Sequence, residues 1–307
     1  GTRDFKKGYR HFFQERQDLY KFIEMNRAKY SVEKMCQLFG ISRSSYYAWL
    51  KRDLTKSSRI DIASYVQQIF EASKNTYGSP RIQSELRKKH GIDVSKSTVA
   101  RAMRRLGLQA RPRRRYVHTT DSKHDYKVFE NILNRSFSST KVNEKWVSDI
   151  SYIPTQSGWT YLTVVIDLAD RMVVGWNLSK DMSALNTSVA AFNQALERRK
   201  ITSDIILHSD RGVQYCCTEF RVAVKQAKKV RQSMSRKGNC WDNAPAESFF
   251  KSLKTEWTSK FNYKNFEQAY RSIFDYIEKW YNTKRQHSTL DYMSPLQKYY
   301  FLTQPAA

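Results

Sequence analysis

Cysteine is scarce: of 307 residues only four are Cys, at positions 36, 216, 217 and 240. Two are neighbours, a poor geometry for a disulfide framework, and the set fits a reducing cytoplasm. No Cys/His cluster has zinc-finger spacing, so no structural zinc is expected. Long apolar runs are also missing. The longest mostly apolar stretch, Tyr161 to Ile166, is far too short to span a bilayer, and mean hydropathy is −0.71. No signal peptide opens the chain, and no leucine-zipper heptads run through it. It begins Gly1-Thr2-Arg3 without an initiator Met, as a trimmed chain or a piece of a longer protein does; any coiled coil of the natural product then lies upstream. Acids are few: 29 Asp+Glu stand against 54 Lys+Arg, a formal charge of +25. Such an excess repels itself in the folded state, so a polyanionic partner is the natural reading, with a merely soluble basic protein as the bland one.

What is present reads as several domains. Residues 1–56 form a first helical region: Gln14 to Met25, then Ser31 to Phe39, with Gly40 supplying a turn and Ser42 capping Arg43 to Leu50. Helix, glycine turn, helix is the helix-turn-helix plan, which a small packing bundle also shows. Arg43 and Ser44, at the start of the last helix, are its candidate DNA contacts. Lys51 to Arg59 reads as a linker. A second helix-turn-helix spans 57–115: Ile60 to Ser73, a Tyr77-Gly78-Ser79-Pro80 turn, Arg81 to His90, and Thr98 to Leu106 capped by Ser95 or Ser97. Its end carries Arg101, Arg104, Arg105, Arg111, Arg113, Arg114 and Arg115 with no acid from 101 to 115, more than a solvated face requires, which points to phosphate contact. Residues 116–142 read as a polar, extended linker.

At Trp146 the texture changes. Trp146–Ile153, Trp159–Asp167 and Met172–Leu178 read as three strands joined by short turns. A helix capped by Ser183 follows to Lys200, with Leu185, Val189, Phe192 and Leu196 in its stripe. Then come a short strand Ile205–Leu207, a helix Cys217–Lys228, a strand Val230–Met234 and a helix from Asn243 to Trp257. This order matches the ribonuclease-H-like α/β fold, over 143–262. The tail, 263–307, adds an amphipathic helix from Phe266 to Tyr281. The fold class is therefore multi-domain: all-α helix-turn-helix units, an α/β core and a C-terminal helix.

Three acids fall together in that order. Asp149 interrupts the first strand, where an unneutralised acid is costly. Asp210 closes the Ile-Ile-Leu strand at its carboxyl end, where α/β sites sit. Glu247 lies in the first turns of the helix after Pro245. Converging acids suit hard, oxygen-loving cations such as Mg²⁺. Taken singly, an Asp at a strand end is more often a cap, and Asp167, Asp170, Asp204 and Asp242 are read that way, Asp167 being the best rival.

The surrounding words carry a resemblance. Trp146-x-x-Asp149-Ile150-x-Tyr152-Ile153, His208-Ser209-Asp210-Arg211-Gly212-x-Gln214-Tyr215 and the run from Ser233 through Gly238-Asn239-Cys240-Trp241-Asp242-Asn243 to Glu247-Ser248-Phe249-Phe250 resemble the integrase core of bacterial insertion-sequence transposases. The nearest group is the one usually made from two overlapping frames by frameshifting. Tyr281-Asn282-x-x-Arg285-x-His287-x-x-Leu290-x-Tyr292-x-x-Pro295 resembles that group's C-terminal signature, and Tyr77-Gly78-Ser79-Pro80-Arg81-Ile82 its helix-turn-helix. The likeness spans roughly residues 60–300. It implies that Asp149, Asp210 and Glu247 are a DDE triad holding two Mg²⁺, with Mn²⁺ able to substitute. It implies too that Lys254, seven residues after Glu247, contacts DNA. The family usually places 35 residues between the second Asp and the Glu; here 36 intervene, the extra one falling around Lys225 to Val230.

The implied activity is metal-assisted DNA cleavage and strand joining, by way of a circular intermediate, on double-stranded DNA: the element's terminal inverted repeats and a target. Two ends must be held together, so at least a dimer on DNA is expected, cytoplasmic and nucleoid-associated. Tyr152, Tyr161 and Tyr215 are read as packing or contacting DNA rather than as nucleophiles. His208 either positions water or phosphate or hydrogen-bonds behind the site, and Asn243 either caps its helix or touches phosphate. Two other functions stay open, a DNA-binding regulator with a dead integrase fold and a nuclease that only hydrolyses.

Overall fold

A computed structural model of the protein describes residues 16–57, 61–110 and 126–304. The chain divides into two units, 1–62 and 63–307. The first contains α1 (Arg16–Asn26), α2 (Val32–Phe39) and α3 (Arg43–Ser57). Its small core gathers Ile23, Met35, Cys36 and Tyr46, flanked by Tyr20 and Trp49. Gly40, at φ +66°, ends α2 in the left-handed conformation that suits glycine, and Ser42 caps α3 by accepting from the Ser45 amide at 3.2 Å. α3 continues to Ser57 through the stretch read as a linker. Lys, Arg and Leu there are good helix formers, and polarity by itself does not end a helix.

The second unit opens with α4 (Ala63–Ala72), α5 (Ser79–His90) and α6 (Lys96–Arg105). They pack on Val66, Ile69, Phe70, Ile82, Leu86, Val99, Ala102 and Met103. Pro80 sits in the first turn of α5, where its missing N–H costs nothing; Ser95, not Ser97, caps α6 through the Thr98 amide at 3.1 Å. Residues 126–142 form no regular helix or strand, yet Leu133 is buried and its amide donates to Ser233 Oγ at 3.2 Å.

The sheet is built from β1 (Lys145–Thr155), β2 (Gly158–Asp167) and β3 (Val173–Ser179), an antiparallel meander, extended by β4 (Ile205–Ser209) and β5 (Val230–Met234), both parallel to β1. Its order is β3-β2-β1-β4-β5. Between β3 and β4 a wide-turn segment, Leu185–Val189, leads into α7 (Ala190–Arg198). The wide turn shifts the helical phase, so Leu185 is 60% exposed, whereas Phe192 and Ala195 face the core with Trp146, Val165, Val174 and Leu207. α8 (Val213–Cys216) and α9 (Thr218–Gln226) follow β4. Lys228, at φ +54°, makes the turn into β5.

Beyond β5 a short 3₁₀ turn, Cys240–Asn243, leads into α10 (Ala244–Glu256), which packs on β1. α11 (Phe266–Phe274) runs on through a wide-turn segment, Asp275–Tyr281, so the expected tail helix is present but changes pitch. A last helix, α12 (Pro295–Thr303), was not expected. Pro295 is its first residue, and Ser294 and Gln297 form a capping box. Among the described side chains Cys36, Cys216 and Cys217 are buried free thiols.

His287 lies half-buried among arginines. Burial pushes its pKa down to about 3, with Arg285, Arg171 and Arg81 acting the same way. Its ring nitrogens meet Tyr281 Oη at 3.3 Å and Thr289 Oγ1 at 3.2 Å. A histidine depressed in the folded state contributes stability that is whole above its ordinary value of 6.5 and is lost as pH falls towards 3. Going from about pH 7.5 to about pH 5 should therefore cost roughly 2 kcal/mol from this group. Urea unfolding at the two pH values measures it, and His287→Gln should remove that share of the pH dependence.

Candidate active site

The pairing of β1 with β4 sets the centre of the site. Lys145, Trp146 and Val147 pair with Ile206, Leu207 and His208, each partner 61 residues on. Asp149 lies two residues beyond the last of these pairs on β1, and Asp210 directly follows the end of β4. Both acids thus lie just past the stretch over which the two neighbouring strands pair. α10 packs on β1 and presents Glu247 in its first turn. Asn243, just before α10, donates from Nδ2 to the Ser148 carbonyl at 3.0 Å. That bond pins the start of the helix beside Asp149. Asn243 makes no side-chain cap: its Nδ2 is turned to the neighbouring strand, and its Oδ1 meets no partner among the described residues.

Electrostatics bind the three acids into one cluster. The Asp149 carboxyl is held well above the usual carboxylate range, first by burial and then by Asp210, with Glu247 adding to the effect. The Ile150 amide and Lys254 oppose it. Lys254 stands on α10 two turns beyond Glu247, and burial lowers its pKa while Asp149 raises it. It thus belongs to the acidic cluster itself. Gly212 donates its amide to Asp210 Oδ1 at 2.9 Å and fixes that side chain.

The surroundings are neutral or spoken for. Tyr215 is buried, and its hydroxyl lies 2.8 Å from Ser148 Oγ. Ser148 donates to the Val164 carbonyl at 2.9 Å, so the tyrosine is the donor of that pair. Burial, Asp149 and Asp210 push its pKa well above the usual phenol value, which leaves it a packed phenol rather than a nucleophile. Tyr152 and Tyr161 stack edge to face, 5.1 Å apart. His208 is buried between Ser233 Oγ at 2.8 Å and Ser235 Oγ at 3.2 Å, and burial brings its pKa down to about 4. It is a neutral, structural histidine.

The rival acids have other partners. Asp167 accepts from the Asn143 amide at 2.7 Å and the Ala169 amide at 2.9 Å; burial, then Asp170, raises its pKa to about 7. Asp170 pairs with Arg199 at 2.6 Å, and Asp204 is exposed. Asp242 is buried under Arg236, Arg135 and Asn131, at 2.8–2.9 Å; these bonds, led by Arg236, hold it well below the usual carboxylate range. This last cluster was not legible in sequence, because Asn131 and Arg135 lie in a stretch read as linker. It staples the 235–242 loop, which displays Trp241 at 70% exposure, next to the helix bearing Glu247.

Oxygen donors of this kind suit a hard cation. Among the described residues no three His, Cys, Asp or Glu side chains form a group that could hold a metal ion. A Mg²⁺ that keeps water and takes phosphate oxygens needs only one or two carboxylates, so the acid cluster fits it.

Of the expected DNA contacts, Arg101, Arg104 and Arg105 are exposed on α6, opposite its buried Val99, Ala102 and Met103. Arg43 is exposed on α3 and 3.6 Å from Glu33, with Ser44 exposed beside it. Arg111, Arg113, Arg114 and Arg115 lie outside the described residues. No described helix is long and apolar enough to cross a membrane.

Comparison with known proteins agrees with this architecture. Models described as "Integrase core domain" match residues 139–240 and 228–295, and one described as "HTH-like domain" matches 59–116. The chain is 39% identical to the transposase InsF for insertion sequence IS3A of Escherichia coli (strain K12), over 91% of this chain and 97% of that protein. It is 38% identical to the insertion element IS600 31 kDa protein of Shigella sonnei, over 85% and 96%. The HTLV-2 integrase catalytic core, solved in complex with magnesium, aligns with a TM-score of 0.38 at 14% identity, over 54% of this chain and 98% of that one. With a helix-turn-helix front, an integrase core and close identity along nearly the whole of a curated relative, the chain belongs to the IS3 family of insertion-sequence transposases.

Proposed function

We propose that Asp149, Asp210 and Glu247 are the catalytic triad of this transposase and hold two Mg²⁺ ions, which Mn²⁺ can replace. The observation that carries the reading is the placement of Asp149 and Asp210 just beyond the β1–β4 pairing, together with the repulsion both Asp210 and Glu247 exert on Asp149. When bound, the ions supply Lewis-acid activation of the attacking oxygen and stabilisation of the leaving one.

The chain's own residues do the rest. The three carboxylates give the site its negative charge and its shape. Lys254, coupled to Asp149, offsets part of that charge and offers a cation to a DNA phosphate. Asn243 fixes the start of the Glu247 helix against β1, and Tyr215 closes the floor as a neutral phenol. No side chain need form a covalent bond to DNA. Arg101, Arg104 and Arg105 on α6, continued by Arg111, Arg113, Arg114 and Arg115, contact the phosphates of the terminal repeats, and Arg43 and Ser44 serve the first helical unit. Two ends are processed together, which calls for at least a dimer on DNA.

The test is a strand-transfer assay on labelled element ends with Mg²⁺ or EDTA, comparing wild type with Glu247→Gln. Joined products that need metal and vanish in the variant, while end binding persists, are expected. Metal-dependent cuts that never join would instead describe a hydrolytic nuclease, and binding without any cut a regulator.

A further inference from the structure

The helix that carries Glu247 at its start carries Glu256 at its end, and Glu256 is gripped from two sides. Arg285 donates to it through Nε at 2.7 Å and Nη2 at 2.6 Å, and its Nη2 also reaches Ser252 Oγ, again on α10, at 3.2 Å. Arg81, from the second helix-turn-helix, approaches the same carboxylate at 3.5 Å. Arg81 is one of three residues on α5, spaced i, i+4 and i+7; it reaches the end of α10, and the other two reach the segment 286–291. Glu85 accepts from Gln286 Nε2 at 2.8 Å, and Lys88 donates to the Asp291 carbonyl at 2.8 Å. From the turn before α5, Tyr77 Oη accepts the Gln286 amide at 2.9 Å. Lys74 lies over the Trp257 ring at 4.0 Å, and its carbonyl accepts from Lys260 Nζ at 2.9 Å.

These contacts interlock the two sequence words that the catalytic reading leaves unused, the Tyr77–Ile82 turn and the Tyr281–Pro295 run. They are also directional. Apolar side chains would hold two surfaces together at less desolvation cost, whereas charged pairs and buried hydrogen bonds fix one register. α5 packs directly on α6, so these contacts link the helix of Glu247 to the arginines of α6 through packed helices.

We propose that Arg81, Glu85 and Lys88, locked onto Glu256, Gln286 and Asp291, form a rigid joint that holds α6 at a set distance from Glu247 and so selects the phosphodiester cut at the element end. The inference rests on the triad and α6 roles proposed above. Arg81 and Gln286 are positioning residues that touch neither DNA nor metal.

The experiment maps cleavage at single-nucleotide resolution on end DNA, using the full chain with Arg81→Met and Gln286→Leu, singly and combined. Neither change strands a buried charge, because Glu256 keeps Arg285 and Glu85 keeps Lys89 at 2.7 Å. The double variant should bind ends and melt like wild type. Its rate at the wild-type phosphodiester should fall by on the order of 10²-fold, as a misplacement of about 1 Å implies, and cuts should appear at neighbouring positions. Arg81→Lys should restore part of the register. Cleavage confined to the wild-type position in the double variant, at whatever rate, would overturn the joint. Wild-type protein that makes no metal-dependent cut at all would overturn the catalytic reading beneath it.

Discussion

Asp149→Asn should abolish strand cleavage and at the same time raise the melting temperature of the metal-free protein. The two effects share one cause. Asp149 sits within a strand, its charge penalised by burial and by two further acids, Asp210 and Glu247. Asparagine keeps the shape and removes the charge, so the repulsion is relieved. For a unit of this size each kcal/mol of relief is worth about 2–4 °C. On the proposed reading, the same charge is what the triad offers to metal. Losing a ligand forfeits several kcal/mol of transition-state stabilisation, and rates should fall on the order of 10³-fold or more. Added Mg²⁺ should raise the melting temperature of wild type far more than that of the variant. Thermal scans with Mg²⁺ or EDTA, run beside the cleavage assay, check both halves. A variant that melts lower than wild type without metal would show that Asp149 is a structural carboxylate.

Gly175→Val should prevent stable folding of the catalytic unit. Gly175 lies in β3 where α7 crosses, and a Cβ there would stand 2.1 Å from the Ala191 carbonyl oxygen and 2.8 Å from the Ala195 amide. Both are backbone atoms and cannot rotate away. Relief requires α7 to lift from the sheet, uncovering Phe192 and Ala195, which are buried against it. Overpacking of this kind costs about 3 kcal/mol or more. Even Gly175→Ala should show a clear fall in urea midpoint, whereas Gly78→Ala, with its nearest atom 3.8 Å away, should be close to neutral. Equal midpoints for Gly175→Ala and wild type would mean that α7 is not held as described.

Much of this architecture was legible from the chain. Alternation placed β1, β2 and β5 to within a residue or two, and capping serines and glycines placed the helical front. Other elements were not legible, for reasons that can be named. The stretch after Leu50 is polar but helix-forming, so composition looked like a linker while propensity continued α3. Residues 126–142 have no period because side chains tie them down singly: Asn131 and Arg135 to Asp242, the Leu133 amide to Ser233. Pro295 looked like the end of a signature and proved the first residue of α12.

The sequence by itself determined the order of elements and the arginine-rich face of α6, and it singled out the three acids proposed as the triad, because periodicity, caps and local words are properties of neighbouring residues. Tertiary structure alone decided which acids meet. Asp167 and Asp149 read alike as strand acids, but it is Asp149 whose carboxyl Asp210 and Glu247 raise, while backbone amides consume Asp167. It alone decided that His208 is neutral, that Asn243 serves a strand rather than its helix, and that Arg81 and Arg285 share Glu256, from 175 and 29 residues away. Burial and pairing over such separations are set by how strands and helices pack, and no local pattern encodes them.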